Sequence, residues 1–127
     1  MQYAYKKQLD VFFEEAIKKT KVGLIEGGFG ILTEIDVKDT LKKKLDVDYD
    51  NYIILGACNP PNAYKALQVE KEIGLLLPCN VLVYEDGGKV FVSAILPKTS
   101  MGFIDNPKLL PIAEAVESKL KKIIDNL

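Results

Sequence analysis

Tyr3, Tyr5 and Lys7 alternate with other residues, and Gln2 to Leu9 predicts a first strand. Phe12, Phe13, Ala16, Ile17 and Leu24 then fall on one helical stripe, with Glu14, Glu15, Lys18 and Lys19 outside it. Asp10 is placed to cap that helix, and Gly27-Gly28 to end it. Phe29, Ile31, Thr33 and Ile35 alternate again and predict a second strand. Asp36 opens a short helix in which Val37, Leu41 and Leu45 recur every four residues, opposite a face of Lys38, Lys42, Lys43 and Lys44. Asp46 to Asn51 is a polar connection. Tyr52-Ile53-Ile54-Leu55 is an unbroken apolar run, which predicts a strand covered on both faces.

Asn59 before Pro60 supplies an N-cap side chain and then a residue preset for the first helical position. Ala63, Ala66 and Leu67 form the expected buried side of that helix. Ile73 to Leu77 is apolar, and Pro78 limits strand pairing there. Asn80 to Glu85, the turn Asp86-Gly87-Gly88, and Lys89 to Leu96 predict a hairpin with β-branched Val81, Val83, Val90 and Val92. Pro97 to Asp105 reads as a loop carrying Met101 and Phe103, either an apolar lid or an interface contact. Asn106-Pro107 repeats the cap-and-proline signal before an amphipathic helix built on Leu110, Ala113, Val116, Leu120, Ile123, Ile124 and Leu127. The order predicts a single domain over residues 1–127. It is a two-layer α+β sandwich whose mixed or antiparallel sheet carries helices on one face. The hairpin breaks the strict alternation that a doubly wound sheet needs.

Composition narrows the chemistry. The chain has no histidine, so His-dependent nucleophilic catalysis and His-ligated metal sites are excluded. All 17 basic residues are lysine, which removes the planar fork used for bidentate phosphate and guanine recognition. A net charge of −1 favours neither nucleic acid nor an anionic membrane as a partner. No stretch approaches membrane-span length and no secretory leader is visible, so a cytoplasmic setting with reduced thiols is expected.

Two segments stand out as candidate chemistry: Cys58-Asn59-Pro60 and Pro78-Cys79-Asn80. They hold both cysteines, each beside an apolar run. Cys58 follows a strand and precedes a helix start, whose N–H groups lower a nearby thiol's pKa. The pair admits a redox or persulfide-carrying thiol, a nucleophile with a partner, or two soft metal ligands. It equally admits two small hydrophobes in a core. Zinc needs four ligands and the chain offers two thiols, so no metal and no cofactor is expected. The candidate ligand-binding residues are Cys58, Asn59, Pro78, Cys79 and Asn80, with Cys58 and Cys79 the candidates for any catalysis. Asn59 reads first as a helix cap, while Asn80 either braces a turn or faces a ligand. Gly23, Gly27, Gly28 and Gly30 read as turn glycines, because no phosphate-loop Lys-Ser/Thr follows them.

Three stretches carry a family resemblance: Gly28-Phe29-Gly30 through Glu34-Ile35-Asp36-Val37, Ile54 through Pro60, and Ile73 through Val81. With them the chain resembles a bacterial and archaeal family known only as domain of unknown function 302. The family pattern falls on Cys58, Asn59, Pro60, Ala63, Leu67, Gly74, Leu77, Pro78, Cys79 and Asn80, without obvious departure. The resemblance implies a sandwich of the TATA-binding-protein type that associates as a homodimer, and it implies no DNA binding. It ranks a small-molecule or sulfur-species ligand above other chemistries. The alternative is a non-catalytic dimerisation or protein-interaction domain with structural cysteines.

Overall fold

A computed structural model describes residues 2–127. Five strands form one sheet in the order β1-β5-β4-β3-β2, with every neighbouring pair antiparallel. They are β1 (Ala4–Leu9), β2 (Gly30–Asp36), β3 (Tyr52–Cys58), β4 (Cys79–Asp86) and β5 (Lys89–Ile95). The helices are α1 (Phe13–Glu26), α2 (Val37–Leu45), α3 (Pro60–Val69), the one-turn α4 (Pro97–Ser100) and α5 (Leu109–Asp125). The expected α+β sandwich is present, and its sheet is antiparallel.

The hairpin is the most local part of the fold. Asp86 pairs with Lys89, and the two turn residues Gly87 and Gly88 have φ of +58° and +78°. That is the turn whose twist matches the flanking strands, and it needs positive φ at both positions. Ile53, Leu55 and Ala57 of β3, Val81 and Val83 of β4, and Val90, Val92 and Ala94 of β5 share one face. They form the main core with Ala16 and Leu24 of α1 and Val116, Leu120 and Ile124 of α5. A second, smaller core joins Ala66, Ile73, Met101, Leu109 and Ala113.

Several local expectations need correction. Asp10 does not cap α1: the cap position is Phe12, which makes no side-chain bond there and is 85% exposed rather than on the buried stripe. Glu14 and Glu15 in the first turn offset the helix dipole instead. The sequence predicts no element for the apolar stretch before Pro78, and residues 71–76 wind into a 3₁₀ turn that seats Ile73 in the second core. The stretch from Pro97 starts as α4, and Met101 is core while Phe103 is exposed. Leu67 and Leu110, expected on buried faces, are exposed. Asn106 lies three residues before α5. It donates to the Val69 carbonyl at 2.7 Å and to Glu70 Oε1 at 3.0 Å, and accepts from the Lys108 N–H at 3.1 Å. It ties the loop to the end of α3 rather than capping α5.

Gly23 and Gly27 are not simple turn residues. Gly23 lies inside α1, where a Cβ would touch Ile123 and Leu127 of the C-terminal segment at 3.3 Å. At Gly27 a Cβ would collide with Ile123. The two glycines set how closely α1 approaches α5.

Candidate functional site

The sheet register brings the two Cys-Asn segments together. Ala57 pairs with Cys79 and Gly56 with Asn80, so both segments lie at one end of the neighbouring strands β3 and β4. Strands about 4.8 Å apart and a step of about 3.4 Å put the cysteine Cα atoms roughly 6 Å apart. Cys58 is the last residue of β3, one step beyond Ala57 and its partner Cys79. Both thiols are free.

Cys79 is buried beneath the core, and burial first, with a smaller contribution from Cys58, pushes its thiol up from 9.0 to about 11. At neutral pH it carries its proton and is a poor nucleophile. Cys58 is partly exposed. Ala57, Cys58, Asn59, Cys79, Met101 and Val116 help wall a narrow crevice with about 30 Å³ of room. That holds a water or two, far below the several hundred Å³ of a typical small-molecule site.

Asn59 is buried and both ends of its amide are hydrogen-bonded. Its Nδ2 donates to the Gly28 carbonyl at 3.1 Å. Its Oδ1 accepts from the Asn62 N–H at 3.3 Å and from Asn62 Nδ2 at 2.8 Å. One amide thus caps α3 and fastens the turn that leads into β2, where Gly28 has φ of +89°. Pro78 follows a cis peptide and packs over Gly56: a Cβ there would meet Pro78 Cγ at 2.8 Å and collide with Thr33. Asn80 is exposed beside Gly56 on the other face of the sheet and makes no side-chain hydrogen bond among the described residues. The structure therefore gathers Cys58, Asn59, Pro78 and Cys79 at one crevice and turns Asn80 away from it. Among the described residues, no group of three or more Cys, Asp or Glu side chains is placed to hold a metal ion.

Sequence reasoning missed two features. Glu117 of α5 is a buried carboxylate; its Oε1 accepts from the Lys98 N–H at 3.1 Å, and it faces Lys121 at 3.5 Å. It holds α4 onto α5, and only its place on the apolar side of a helical stripe could have signalled it. The second is the far face of the sheet. Tyr52, Tyr84 and Phe91 sit opposite one another on β3, β4 and β5 and stack with ring centroids 5.4 and 5.5 Å apart. Tyr49 leans on Tyr52 at 6.2 Å, and Lys6 lies 4.9 Å above Phe91. Beside this row runs Ile35–Ile54–Leu82. Tyr52, Ile54, Leu82, Tyr84 and Phe91 belong to neither buried core.

No helix among the described residues is long and apolar enough to cross a membrane. No curated protein matches the chain significantly. A solved structure of an uncharacterized conserved DUF302 protein from Bacillus stearothermophilus superposes with a TM-score of 0.92 at 28% identity, over 98% of each chain. The model of the family described as domain of unknown function DUF302 matches residues 5–127, nearly all of the sequence. The architecture and this match agree, and the chain belongs to the DUF302 family.

Proposed function

We propose that this chain is a non-catalytic assembly domain that pairs with a second copy of itself through the open face of its sheet. The two Cys-Asn segments fix the strand ends. The observation that carries this reading is the double-sided apolar character of β3, β4 and β5. Their sequences ask for cover on both faces, while within one chain α1 and α5 cover one, and α2 touches β2 and β3 without joining the buried core.

The open face measures roughly 24 Å across its five strands and roughly 20 Å along them, on the order of 500 Å² before side-chain relief. The exposed apolar residues Leu32, Val47 and Tyr49 extend it toward the about 800 Å² per partner of a stable interface. Its charges suit a second copy. Lys6 flanks the β1 side, and Asp50 adjoins Tyr49 at the other side, where Asp48 is paired with Lys42 at 3.4 Å. A two-fold axis along the strands sets each flank against its opposite. Light scattering coupled to size exclusion tests the reading. Wild type is expected at twice the 14.1 kDa chain mass. Leu82→Lys is expected as a folded monomer, and a wild-type monomer at high concentration overturns the pairing.

A second reading, a thiol-bearing pocket for a small molecule or sulfur species, is supported by the partly exposed Cys58 at the crevice mouth. It requires Cys58 to label with iodoacetamide faster than an unfolded control. Labelling no faster than that control removes it.

A further inference from the structure

A groove of about 660 Å³ opens between the C-terminal halves of α1 and α5. It lies on the outer side of the helix layer, away from both the crevice and the open sheet face. The glycines at 23 and 27 bring the two helices together at Ile123, and beside that contact the surfaces part. Val22, Ile123 and Leu127 give it an apolar floor, with Val22 53% exposed. Lys18 and Lys19 rim it from α1, and Lys119 and Lys122 from α5. Glu26 is the one carboxylate side chain among its lining residues.

What sets these lysines apart is their convergence on one groove. Lys21, Lys42, Lys43 and Lys121 each sit in an ion pair. None of the four rim lysines does so among the described residues. Helix-dipole compensation explains Lys122, which lies in the last turn of α5. It does not explain Lys18, Lys19 or Lys119, which stand more than a turn from their helix ends, where that field has decayed. A chain with net charge −1 thus gathers four unpaired cations around one apolar groove.

We propose that this groove binds a small amphipathic anion: a carboxylate, sulfonate or phosphate headgroup on an apolar body. The body lies along Val22, Ile123 and Leu127, and the headgroup takes ammonium groups from both helices. Lysine suits this role as a set of mobile point charges that tolerates more than one headgroup geometry. The groove volume falls within the range of small-molecule sites.

The test is a ¹H–¹⁵N NMR titration of the intact chain with decanoate below its aggregation threshold, with decanol as the uncharged control. Saturable shifts are expected at Val22, Gly23 and Ile123. The Lys18→Gln/Lys122→Gln double variant should bind at least five-fold more weakly, and so should wild type in high salt. Both substitutions are exposed helix positions where glutamine keeps helix propensity, so the variant's unchanged spectrum elsewhere controls for folding. Decanol binding as well as decanoate, shifts centred on Ile54 and Leu82, or no saturable shift would each overturn the proposal. So would equal affinity in the double variant.

Discussion

The two faces of this sheet are made of similar residues and meet different fates. On one face Leu55, Val81, Val83 and Val92 are fully buried under α1 and α5. On the other, Ile54, Leu82, Tyr84 and Phe91 alternate with them and stay half-buried, outside either core. The cysteines share one crevice but differ in cover, Cys79 buried and Cys58 partly exposed. The contrast teaches that an apolar position in a strand records a need for cover, and a single chain meets only part of that need. Lysine over Phe91 and the aromatic stack are partial substitutes, worth about 1 kcal/mol each at most.

The sharpest way to break this comparison is a matched pair of truncations. Leu55→Ala empties the closed core and should cost about 2–5 kcal/mol in urea unfolding. Leu82→Ala, one strand away on the open face, should cost less than about 1 kcal/mol at concentrations where wild type is monomeric. Equal losses would mean that the far face is already covered.

A pH series separates the cysteines. The Cys79 thiol is raised from 9.0 to about 11 by burial, so the folded state keeps a proton that the unfolded state releases. Stability from this group is complete below pH 9 and is lost as pH rises through about 11. The loss is roughly 2–3 kcal/mol. Subtracting the same unfolding series for Cys79→Ala isolates it from lysine titration. An unchanged pH slope in that variant would show that Cys79 is not desolvated.

Two smaller effects probe the strand ends. Gly56→Ala drives a methyl into Thr33 and Pro78 on the open side and should cost about 1–3 kcal/mol, read as a lowered urea midpoint. Asn59→Ala removes the α3 cap and the tie to Gly28 and should cost about 1 kcal/mol, with hydrogen exchange quickening first at the Asn62 and Ala63 amides. A neutral Asn59→Ala would return that amide to the list of ligand contacts.

What the sequence made legible was local. Asp36 caps α2 through the Asp39 N–H at 2.9 Å, as its place before Val37 predicts. The Gly87-Gly88 hairpin and the Asn59-Pro60 helix start also form where their residues require. Less legible were features that depend on distant partners. Nothing near Gly27 announces Ile123, nearly a hundred residues on. Ile73 to Leu77 has a strand's composition, but a second core formed with Met101 and Leu109 draws it into a 3₁₀ turn. The candidate site was half legible. The matching Cys-Asn segments do meet, yet how far each thiol is covered depends on a register that the sequence does not display.

The most direct test of the central claim is an isotope-filtered NOE measurement on a mixture of labelled and unlabelled chains. Intermolecular contacts are expected from the Ile54 and Leu82 methyls to the Tyr52, Tyr84 and Phe91 rings, and none to residues of α1 or α5. Intermolecular contacts confined to the β2 edge or the helix layer would contradict it, as would none at a concentration where the mass is dimeric.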